Sequence, residues 1–263
     1  MPEDDEGNVT DCGIVVPTLG ERPEFIEQCL SSIREGGDCY IIVVRPISAS
    51  TIDHELNGLV DLIVDDPQRG LASAINEGMS RMPPAVEFVN WLGDDDRLTP
   101  GSLAVARQIL VENPKVSFVF GSCRYIDSES NQVWMNRSGR FASPLMLVGP
   151  QLVPQPGALF RRRDFDRIGG LDTNLKWAFD LDLFLRLRKC GRPRFLGHVL
   201  SEFRWHEGSL SVGSRHGSVN EASRVRRSHV PRAVSVVSVV WEPLVRKIIF
   251  FAGSLVSRRI AKS

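Results

Sequence analysis

The chain has 263 residues, of which 42% are hydrophobic and 24% charged, and these values fit one large globular domain better than two. The net charge of zero hides an asymmetry, because residues 1–100 carry 20 acidic and 6 basic side chains whereas residues 101–263 carry 12 and 26. Five cysteines without a Cys-x-x-Cys pair argue against a disulfide framework or a structural zinc, and the acidic residues 1–11 argue against a signal peptide, so we expect a cytoplasmic protein.

The first part of the chain alternates between apolar runs and segments with helical periodicity. Four apolar runs bounded by turn residues have the pattern of buried strands: 13–17, 40–44, 59–64 and 86–92. Three segments with apolar residues at helical spacing predict helices: 22–34, 70–82 and 100–112. This alternation predicts an α/β fold with a mostly parallel central sheet that is covered by helices.

The pattern changes after residue 112. Strand-like pieces, a helix and a further strand are predicted in this order: 118–120, 132–134, 158–160, 179–190 and 194–196. Turns rich in Gly, Pro and Ser separate the first three of them. Residues 214–232 are polar and basic, which predicts a linker or a loop.

The last segment, residues 233–263, predicts an amphipathic helical tail. Its apolar runs, 233–241 and 248–257, are separated by charged residues, and neither reaches the roughly 20 residues of a membrane-spanning helix. One helical face carries the apolar residues Leu244, Val245, Ile248, Ala252 and Leu255. We favour a helix that lies in a membrane interface. A helix docked on the protein's own surface and true insertion are the alternatives.

The sequence Gly93-Asp94-Asp95-Asp96 places three adjacent carboxylates directly after a buried strand. Adjacent carboxylates repel each other and add nothing to a core, whereas ligands bind at the carboxyl ends of strands in open α/β sheets. Such oxygen ligands suit Mg²⁺ or Mn²⁺, which hold a substrate diphosphate through one or two carboxylates. The alternative is an acidic start of the next helix, where Asp96 would interact favourably with the helix dipole.

Asp180 and Asp182 are two residues apart at the start of an apolar helix, so they cannot share one helical face. One of them can face a cleft as a general base while the other caps the helix or pairs with Arg186. The alternative is that both are ordinary carboxylates at a helix N-terminus. His206 is a candidate to bond a diphosphate or to ligate a metal as a neutral imidazole, or else it is a packed surface residue beside Trp205.

The acidic segment resembles the family 2 glycosyltransferases of the GT-A fold, in which a strand ends in an Asp-x-Asp-like motif before a Pro-x-x-Leu helix. Asp95 and Asp96 match the two most regular aspartates, and residues 100–103 match the helix. Gly93 stands where many members have the first Asp. The resemblance therefore makes Asp95 the expected metal contact.

Other segments match in the same order, and together they cover about residues 12–212. Residues 15–19 resemble the opening strand whose loop packs on the nucleotide base, and residues 70–78 resemble the Gly-x-x-x-Ala-x-Asn-x-Gly helix under the sugar nucleotide. Residues 155–162 followed by 168–172 resemble the acceptor-side segment. Residues 177–186 resemble the motif that supplies the base, and residues 203–211 the Arg-x-His-x-x-Ser-x-Ser ending. In the base motif Phe179 replaces a Glu, and by resemblance Asp180 is the base and Asp182 is structural.

The resemblance also implies the ligand contacts. The expected contacts of the sugar nucleotide are Pro17, Thr18, Asp65, Asp66, Gly70, Asn76, Asp94 and Asp95. Asp65 or Asp66 is included because Arg45 and Pro46 follow the second strand, where the family often has an Asp that bonds the base. The expected ligands of a Mn²⁺ or Mg²⁺ cofactor are Asp95, Asp96 and His206.

The implied activity is inverting transfer of a sugar from a nucleoside-diphosphate sugar to a hydroxyl of a glycan or lipid-linked acceptor, in cell-surface polysaccharide or glycolipid synthesis. One alternative is a sugar nucleotidyltransferase, although residues 18–23 make a poor basic Gly-rich loop. Another is a degenerate, non-catalytic sugar-nucleotide-binding relative, motivated by Gly93. No nucleic-acid partner is expected.

We predict a catalytic domain over residues 1–213, with a nucleotide-sugar half at about 12–100 and an acceptor half at about 101–213. A basic linker (214–232) and the tail (233–263) follow. Basic residues near the tail suit an anionic membrane surface, so the expected location is the cytoplasm, with peripheral contact to the inner face of the cell membrane.

Overall fold

The computed structural model describes residues 10–56, 58–137, 139–205, 215–230, 242–251 and 254–255. Within these ranges the strands are β1 (Cys12–Pro17), β2 (Tyr40–Arg45), β3 (Leu62–Asp65), β4 (Phe88–Trp91), β5 (Arg97–Leu98), β6 (Val116–Ile126), β7 (Gln132–Asn136), β8 (Leu159–Arg161) and β9 (Arg192–Arg204). The helices are α1 (Pro23–Gly36), α2 (Asp53–Leu56), α3 (Leu71–Ser80), α4 (Ser102–Glu112), α5 (Ala142–Leu145), α6 (Arg162–Arg167), α7 (Phe179–Cys190) and α8 (Arg215–His229). A 3₁₀ helix spans Ile47–Ile52, and residues 242–251 form a further helix, which we call the tail helix.

The described strands form one mixed sheet in the order β3-β2-β1-β4-β8-β6-β9-β5, with β7 added on β6. The β3-β2-β1-β4 part is parallel, as predicted. The second part is mixed, because β8 runs antiparallel to both β4 and β6 and β5 runs antiparallel to β9, whereas β6 and β9 are parallel. The expectation of a mostly parallel sheet therefore describes the nucleotide-sugar half better than the acceptor half.

The core lies on both faces of this sheet. Every residue of β1 is buried, so its successive side chains enter opposite layers. Val15 packs in the layer that contains Ile75 of α3 and most of α7, whereas Ile14 and Val16 pack in the layer that contains Leu30 of α1. The helices thus cover the sheet on both sides, and they leave the carboxyl ends of β1 and β4 to carry polar side chains.

Helix α8 occupies most of the predicted linker, and there the prediction is wrong. Val219, Glu221 and Val225 are buried in α8, with 4%, 3% and 5% of their surface exposed. The carboxylate of Glu221 accepts backbone hydrogen bonds from the start of α7. A helix with few apolar positions is stabilised here by buried polar contacts, which composition alone does not reveal.

The tail helix docks on α8 by one side. Its Glu242 lies 3.3 Å from Nε of Arg227, and its Arg246 donates a 2.7 Å hydrogen bond to Asn220. Its other side is exposed and apolar, since Leu244, Ile248 and Phe251 are 60%, 49% and 66% exposed. Within residues 242–251, the tail helix is thus docked on the protein's own surface along one face, and its opposite face is exposed. Residues 233–241, 252–253 and 256–263 lie outside the described ranges. Among the helices that are described, none is long and apolar enough to span a bilayer.

Candidate active site

The carboxyl ends of β1 and β4, the first and fourth predicted strands, lie side by side because the two strands are parallel neighbours. Val15 of β1 pairs with Trp91 of β4, so the residues after each strand emerge at the same edge of the sheet. There the Thr18 hydroxyl donates a 2.5 Å hydrogen bond to Oδ2 of Asp94, across 76 residues of sequence. The same hydroxyl accepts the backbone N–H of Gly20. Thr18 and the acidic turn, residues 93–96, are thus parts of one site, and Pro17 closes β1 beside it.

Arg22 lies against this acidic turn, and sequence reasoning did not single it out. Its NH1 is 3.2 Å from Oδ2 of Asp95, and its NH2 is 3.6 Å from Oδ1 of Asp94. The Arg22 side chain is 30% exposed, against 11% and 16% for the two carboxylates. The guanidinium therefore supplies a positive charge at the place where a donor diphosphate and its cation are expected.

Asp96 faces inward, toward β9. It is 4% exposed, and its Oδ1 accepts the backbone N–H of Arg204 at 2.9 Å. Burial, followed by the negative charge of Asp95, raises the pKa of Asp96 well above its ordinary value. Its Oδ2 lies near Gly93, where a Cβ would be 3.2 Å from that oxygen and 2.9 Å from Oδ1 of Asp95. The glycine thus leaves room for the Asp95 and Asp96 carboxylates to approach each other.

The guanidinium of Arg204 anchors the turn from the protein interior. Arg204 is fully buried, and its Nε donates to the carbonyl oxygen of Asp95 at 3.0 Å. Its other nitrogens donate to the carbonyl oxygens of Asp127 and Ser128 and to the side chains of Gln28 and Ser130. The sequence signal for Arg204 was its place in the 203–211 motif, but that match did not indicate this role.

The acidic turn fits a metal that is shared with a substrate. Among the described residues, no three side chains of the His, Cys, Asp or Glu type are grouped so as to hold a metal by themselves. Magnesium sites that bind phosphate-bearing substrates use one or two protein carboxylates and complete the coordination shell with substrate phosphates and water. The Asp95 carboxylate, which is 16% exposed, suits that arrangement, whereas Asp96 is buried and its Oδ1 accepts the Arg204 N–H. His206, the third predicted ligand, lies outside the described residues.

Asp180 lies in the first turn of helix α7. Its Oδ2 accepts a 2.8 Å hydrogen bond from the Gln151 amide, and its Oδ1 accepts the Leu181 N–H at 2.7 Å. Burial raises the pKa of Asp180 to about 6. Its neighbour Phe179 packs on Trp91, the last residue of β4, with ring centroids 6.1 Å apart. The start of α7 is thereby held close to the strand that carries the acidic turn.

Asp182 has the opposite environment. Its Oδ2 accepts a 2.7 Å hydrogen bond from Nε of Arg186, and its Oδ1 lies 2.8 Å from Nε2 of His229 in α8. Burial alone would raise the pKa of Asp182, but the contacts with His229 and Arg186 outweigh it and the pKa is lowered. The pairing with Arg186, which the sequence offered as one alternative, is confirmed.

Helix α8 also fixes the start of α7. The Glu221 carboxylate accepts the backbone N–H groups of Lys176, Trp177 and Ala178, the last two at 2.6 and 2.8 Å. Such a carboxylate satisfies donors that a helix N-terminus leaves open and interacts favourably with the helix dipole. Neither Glu221 nor Gln151 was predicted, because their partners are 43 to 45 and 29 residues away in sequence.

Asp65 and Asp66 were predicted to replace a missing base-binding Asp. Asp65 is the last residue of β3, and Asp66 comes directly after it. Asp65 forms an ion pair with Arg45 at 2.5 Å, and Asp53 holds the same guanidinium at 2.6 Å. Asp66 accepts the backbone N–H of Gln68 in a turn. Asp65 has a 64% exposed side chain, so it borders the site as one half of an ion pair.

Two residues of the predicted sugar-nucleotide segment, Gly70 and Asn76, have structural roles. Gly70 precedes α3 with φ of +94°, which favours glycine, although a Cβ there would meet no atom within 4 Å. Asn76 uses its amide to donate to the Leu171 carbonyl and to accept the Leu171 N–H, both at 2.9 Å. Its amide group therefore links α3 to the segment before α7, and the contact of Asn76 with a donor stays a prediction.

Comparison with known proteins places this geometry in a class. No family model matches the chain. The chain is 25% identical over 227 residues to the O-antigen biosynthesis protein RfbC of Myxococcus xanthus, a match that covers 80% of this chain but only 17% of that protein. It is 21% identical over 232 residues to an uncharacterized glycosyltransferase of Haemophilus influenzae, covering 84% of this chain and 77% of the relative.

Solved structures match over most of the chain. S. aureus TarS 1–349 in complex with UDP-GlcNAc superposes with a TM-score of 0.64 at 16% identity, covering 87% of this chain and 67% of that one. The mannosyltransferase PcManGT from Pyrobaculum calidifontis, in complex with GDP-Man and Mn²⁺, gives 0.61 at 18% identity, covering 96% and 75%.

The structural similarities show the fold of the protein. The predicted GT-A-like fold is confirmed, and the relatives together with the structural neighbours support a glycosyltransferase. Within that class, the resemblance to family 2 stays a prediction that rests on the motifs.

Proposed function

We propose that this chain is an inverting, metal-dependent family 2 glycosyltransferase. The observation that carries the proposal is a pair of unlike carboxylate sites on two elements that pack together, since Phe179 of α7 contacts Trp91 of β4. The acidic turn after β4 carries Asp94 and Asp95 beside a guanidinium, whereas Asp180 at the start of α7 is half-buried and hydrogen-bonded to neutral partners. A burial-raised pKa of about 6 keeps Asp180 ready to accept a proton near neutral pH.

In the proposed reaction, Asp180 removes the proton from an acceptor hydroxyl, which attacks the anomeric carbon of the donor in line. Gln151 and the Leu181 N–H orient the Asp180 carboxylate for this step. Thr18 and the acidic turn hold the diphosphate end of the donor, with Pro17 and Gly70 shaping the surrounding backbone. A bound Mg²⁺ or Mn²⁺ would stabilise the charge that develops on the leaving nucleoside diphosphate. The proposed ligands are Asp95, Asp96 and His206.

The proposed donor is a nucleoside-diphosphate sugar. Structural neighbours in complex with UDP-GlcNAc and with GDP-Man support this class of donor. The proposed acceptor is a glycan or a lipid-linked glycan, and the similarity to an O-antigen biosynthesis protein supports a role in polysaccharide synthesis. We propose that residues 1–213 form the catalytic domain, to which α8 is tied through Glu221 and His229.

The tail helix is the proposed site of peripheral contact with an anionic membrane. Leu244, Ile248 and Phe251 are spaced at one helical face and remain exposed after the opposite side has docked on α8. An exposed apolar stripe next to basic side chains is typical of helices that lie in a membrane interface.

The test is a screen of purified protein against UDP, GDP, dTDP and CMP sugars, each with and without Mn²⁺, by thermal stabilisation and by release of the nucleotide. We expect one or a few nucleoside-diphosphate sugars to raise the melting temperature only with metal, because a ligand that binds the native state stabilises it. No stabilisation by any donor would contradict the proposal. A response to nucleoside triphosphate with sugar 1-phosphate would indicate a nucleotidyltransferase instead.

The departure at Gly93 motivates a second candidate, a sugar-nucleotide-binding protein without catalytic activity. Such a protein would be stabilised by a donor but would transfer no sugar with any acceptor. Any slow release of nucleotide by such a protein would be unchanged in Asp180→Asn. Turnover that depends on Asp180 would eliminate this candidate.

A further inference from the structure

We propose that Arg22 competes with the divalent cation for the acidic turn when no donor is present, and binds the donor diphosphate once the cation has bound. This inference rests on the proposed function, since it assigns a role within the same donor site. It predicts that metal and nucleoside diphosphate bind cooperatively, with Arg22 as the group that couples them.

The competition follows from the atoms that Arg22 contacts. Its guanidinium lies 3.2 Å from Oδ2 of Asp95 and 3.6 Å from Oδ1 of Asp94. The other oxygen of Asp94 accepts the Thr18 hydroxyl, so the turn presents its negative charge toward Arg22. A divalent cation on the Asp95 carboxylate would lie within a few ångströms of the guanidinium, and like charges that close repel each other strongly.

Arg22 has a fixed backbone and a side chain with access to solvent. Its carbonyl oxygen accepts the N–H groups of Phe25 and Ile26 at the start of α1, at 3.1 and 3.3 Å. Its side chain is 30% exposed. The guanidinium can therefore turn about its own side-chain bonds while the α1 backbone stays in place.

Arg204 provides the contrast within the same turn. It is fully buried, donates to Asp95, Asp127, Ser128 and Gln28, and packs over the ring of Phe25 at 4.3 Å. Moving that guanidinium would leave several buried acceptors without donors, which is costly. Of the two arginines on the turn, Arg22 is thus the one that is able to change partners.

The charge balance indicates where Arg22 goes. A cation that binds the Asp95 carboxylate takes over the role of counter-ion and weakens the hold on Arg22. The donor brings a diphosphate to the same strand edge, and a guanidinium binds phosphate oxygens in a bidentate geometry. Each ligand therefore improves the site for the other, and such coupling between two ligands is reciprocal.

The experiment is calorimetry on the full chain with two probes, Mn²⁺ alone and UDP or GDP at saturating Mn²⁺. In Arg22→Ala we expect Mn²⁺ alone to bind up to about fivefold more tightly, the range for a partly exposed ion pair. We expect the nucleoside diphosphate to bind roughly tenfold to a hundredfold more weakly, because a charge-assisted hydrogen bond is lost. The two affinities should thus change in opposite directions.

Three controls separate this result from general damage. Arg22→Lys keeps the charge, so its Mn²⁺ affinity should stay near wild type while diphosphate binding is partly retained. Arg81→Ala removes an exposed arginine that pairs with Glu77 in α3, and it should change neither affinity. Circular dichroism and melting temperatures of the variants check that α1 is intact.

Arg22→Ala that binds Mn²⁺ no more tightly than wild type, or that binds the diphosphate equally well, would overturn the inference. A wild-type protein that binds no nucleoside diphosphate with metal would instead overturn the proposed function. In that case the titration with Mn²⁺ alone still decides whether Arg22 competes for the turn.

Discussion

The acidic turn after β4 and the start of α7 both bring carboxylates to the candidate site, but their surroundings differ in charge. At the turn, Arg22 lies against Asp94 and Asp95. At the start of α7, the hydrogen-bond partners of Asp180 are the neutral Gln151 amide and a backbone N–H. Burial beside neutral groups favours the protonated acid at Asp180.

The same contrast occurs within α7 itself. Asp180 and Asp182 are two residues apart, yet the pKa of Asp180 is raised to about 6 and that of Asp182 is lowered. The difference comes from the partners, because His229 and Arg186 hold Asp182 whereas a neutral amide holds Asp180. Environment thus divides the two carboxylates into a candidate base and a structural residue.

Of the variants considered, Asp180→Asn should reduce the rate of sugar transfer most. It keeps the size of the side chain but removes the base, so transfer should fall by about 10²–10⁴-fold, the typical contribution of a general base. Donor binding, measured by calorimetry, should stay near wild type. Asp182→Asn is the matched control, and we expect it to reduce stability more than rate. An inactive Asp182→Asn beside an active Asp180→Asn would mean that the roles are reversed.

Asp95→Asn should abolish metal-dependent binding of nucleoside diphosphate and leave the fold intact. The asparagine cannot supply the anionic oxygen that a hard cation prefers. Calorimetry with UDP or GDP and Mn²⁺ measures the loss, and far-ultraviolet circular dichroism checks the fold. Glu112→Gln, on the exposed end of α4, serves as a charge-matched control. Wild-type affinity in Asp95→Asn would remove Asp95 from the metal site.

The pKa of about 6 for Asp180 gives the reaction a pH dependence. The base acts only when deprotonated, so kcat/KM should decline below about pH 6 and level off above it. Gln151 donates a hydrogen bond that lowers the pKa of Asp180, so Gln151→Ala should move this decline to higher pH. A wild-type decline near the ordinary aspartate value of about 3.9 would contradict the assignment.

The same pKa predicts an effect on stability. The folded-state pKa of about 6 lies above the ordinary value of 3.8, so the folded protein favours the protonated acid. The stability gained from this preference is present below 3.8 and is lost as the pH rises through about 6. The melting temperature of Asp180→Asn should therefore exceed that of wild type above pH 6 and approach it toward pH 3.8. An equal difference at all pH values would contradict this reasoning.

The tail should give the smallest and most salt-sensitive effect. Full-length protein should sediment with anionic liposomes, because each basic residue near the surface contributes about 1 kcal/mol of attraction to it. The bound fraction should decrease as the salt concentration increases. Deleting residues 233–263 should abolish binding and leave soluble protein. The substitutions Leu244→Ser, Ile248→Ser and Phe251→Ser should weaken binding to liposomes, because they remove exposed apolar side chains. Val245→Ser is the control that shows the effect of damaging the docked face, since Val245 is buried. A truncated protein that aggregates, with a full-length protein that ignores liposomes, would contradict membrane contact.

The parts of the fold that could be predicted are those with a local signal. The four apolar runs correspond to β1–β4, with ends shifted by a few residues, because strands buried on both faces are continuously apolar. The acidic turn was found because three carboxylates after a strand are costly without a ligand. The antiparallel strands β8 and β5 could not be predicted in the same way, because their direction depends on partners elsewhere in the sheet.

The residues that could not be predicted act across long sequence separations. Arg22 meets Asp95 over 73 residues, and Arg204 meets it over 109. The motif of Asn76 indicates its position on α3, but the contact of its amide with Leu171, 95 residues away, could not be read from the sequence. Helix α8 was misjudged because its polar side chains are satisfied by α7, a partner that composition does not show.

The central claim is that Asp180 activates an acceptor hydroxyl for a single displacement on the donor. The most direct test is proton NMR of the first product formed, with the coupling of the anomeric proton compared between donor and product. A single displacement predicts that the anomeric configuration is inverted, and that Asp180→Asn forms this product at a rate lower by about 10²–10⁴-fold. A product that retains the donor configuration would contradict the account.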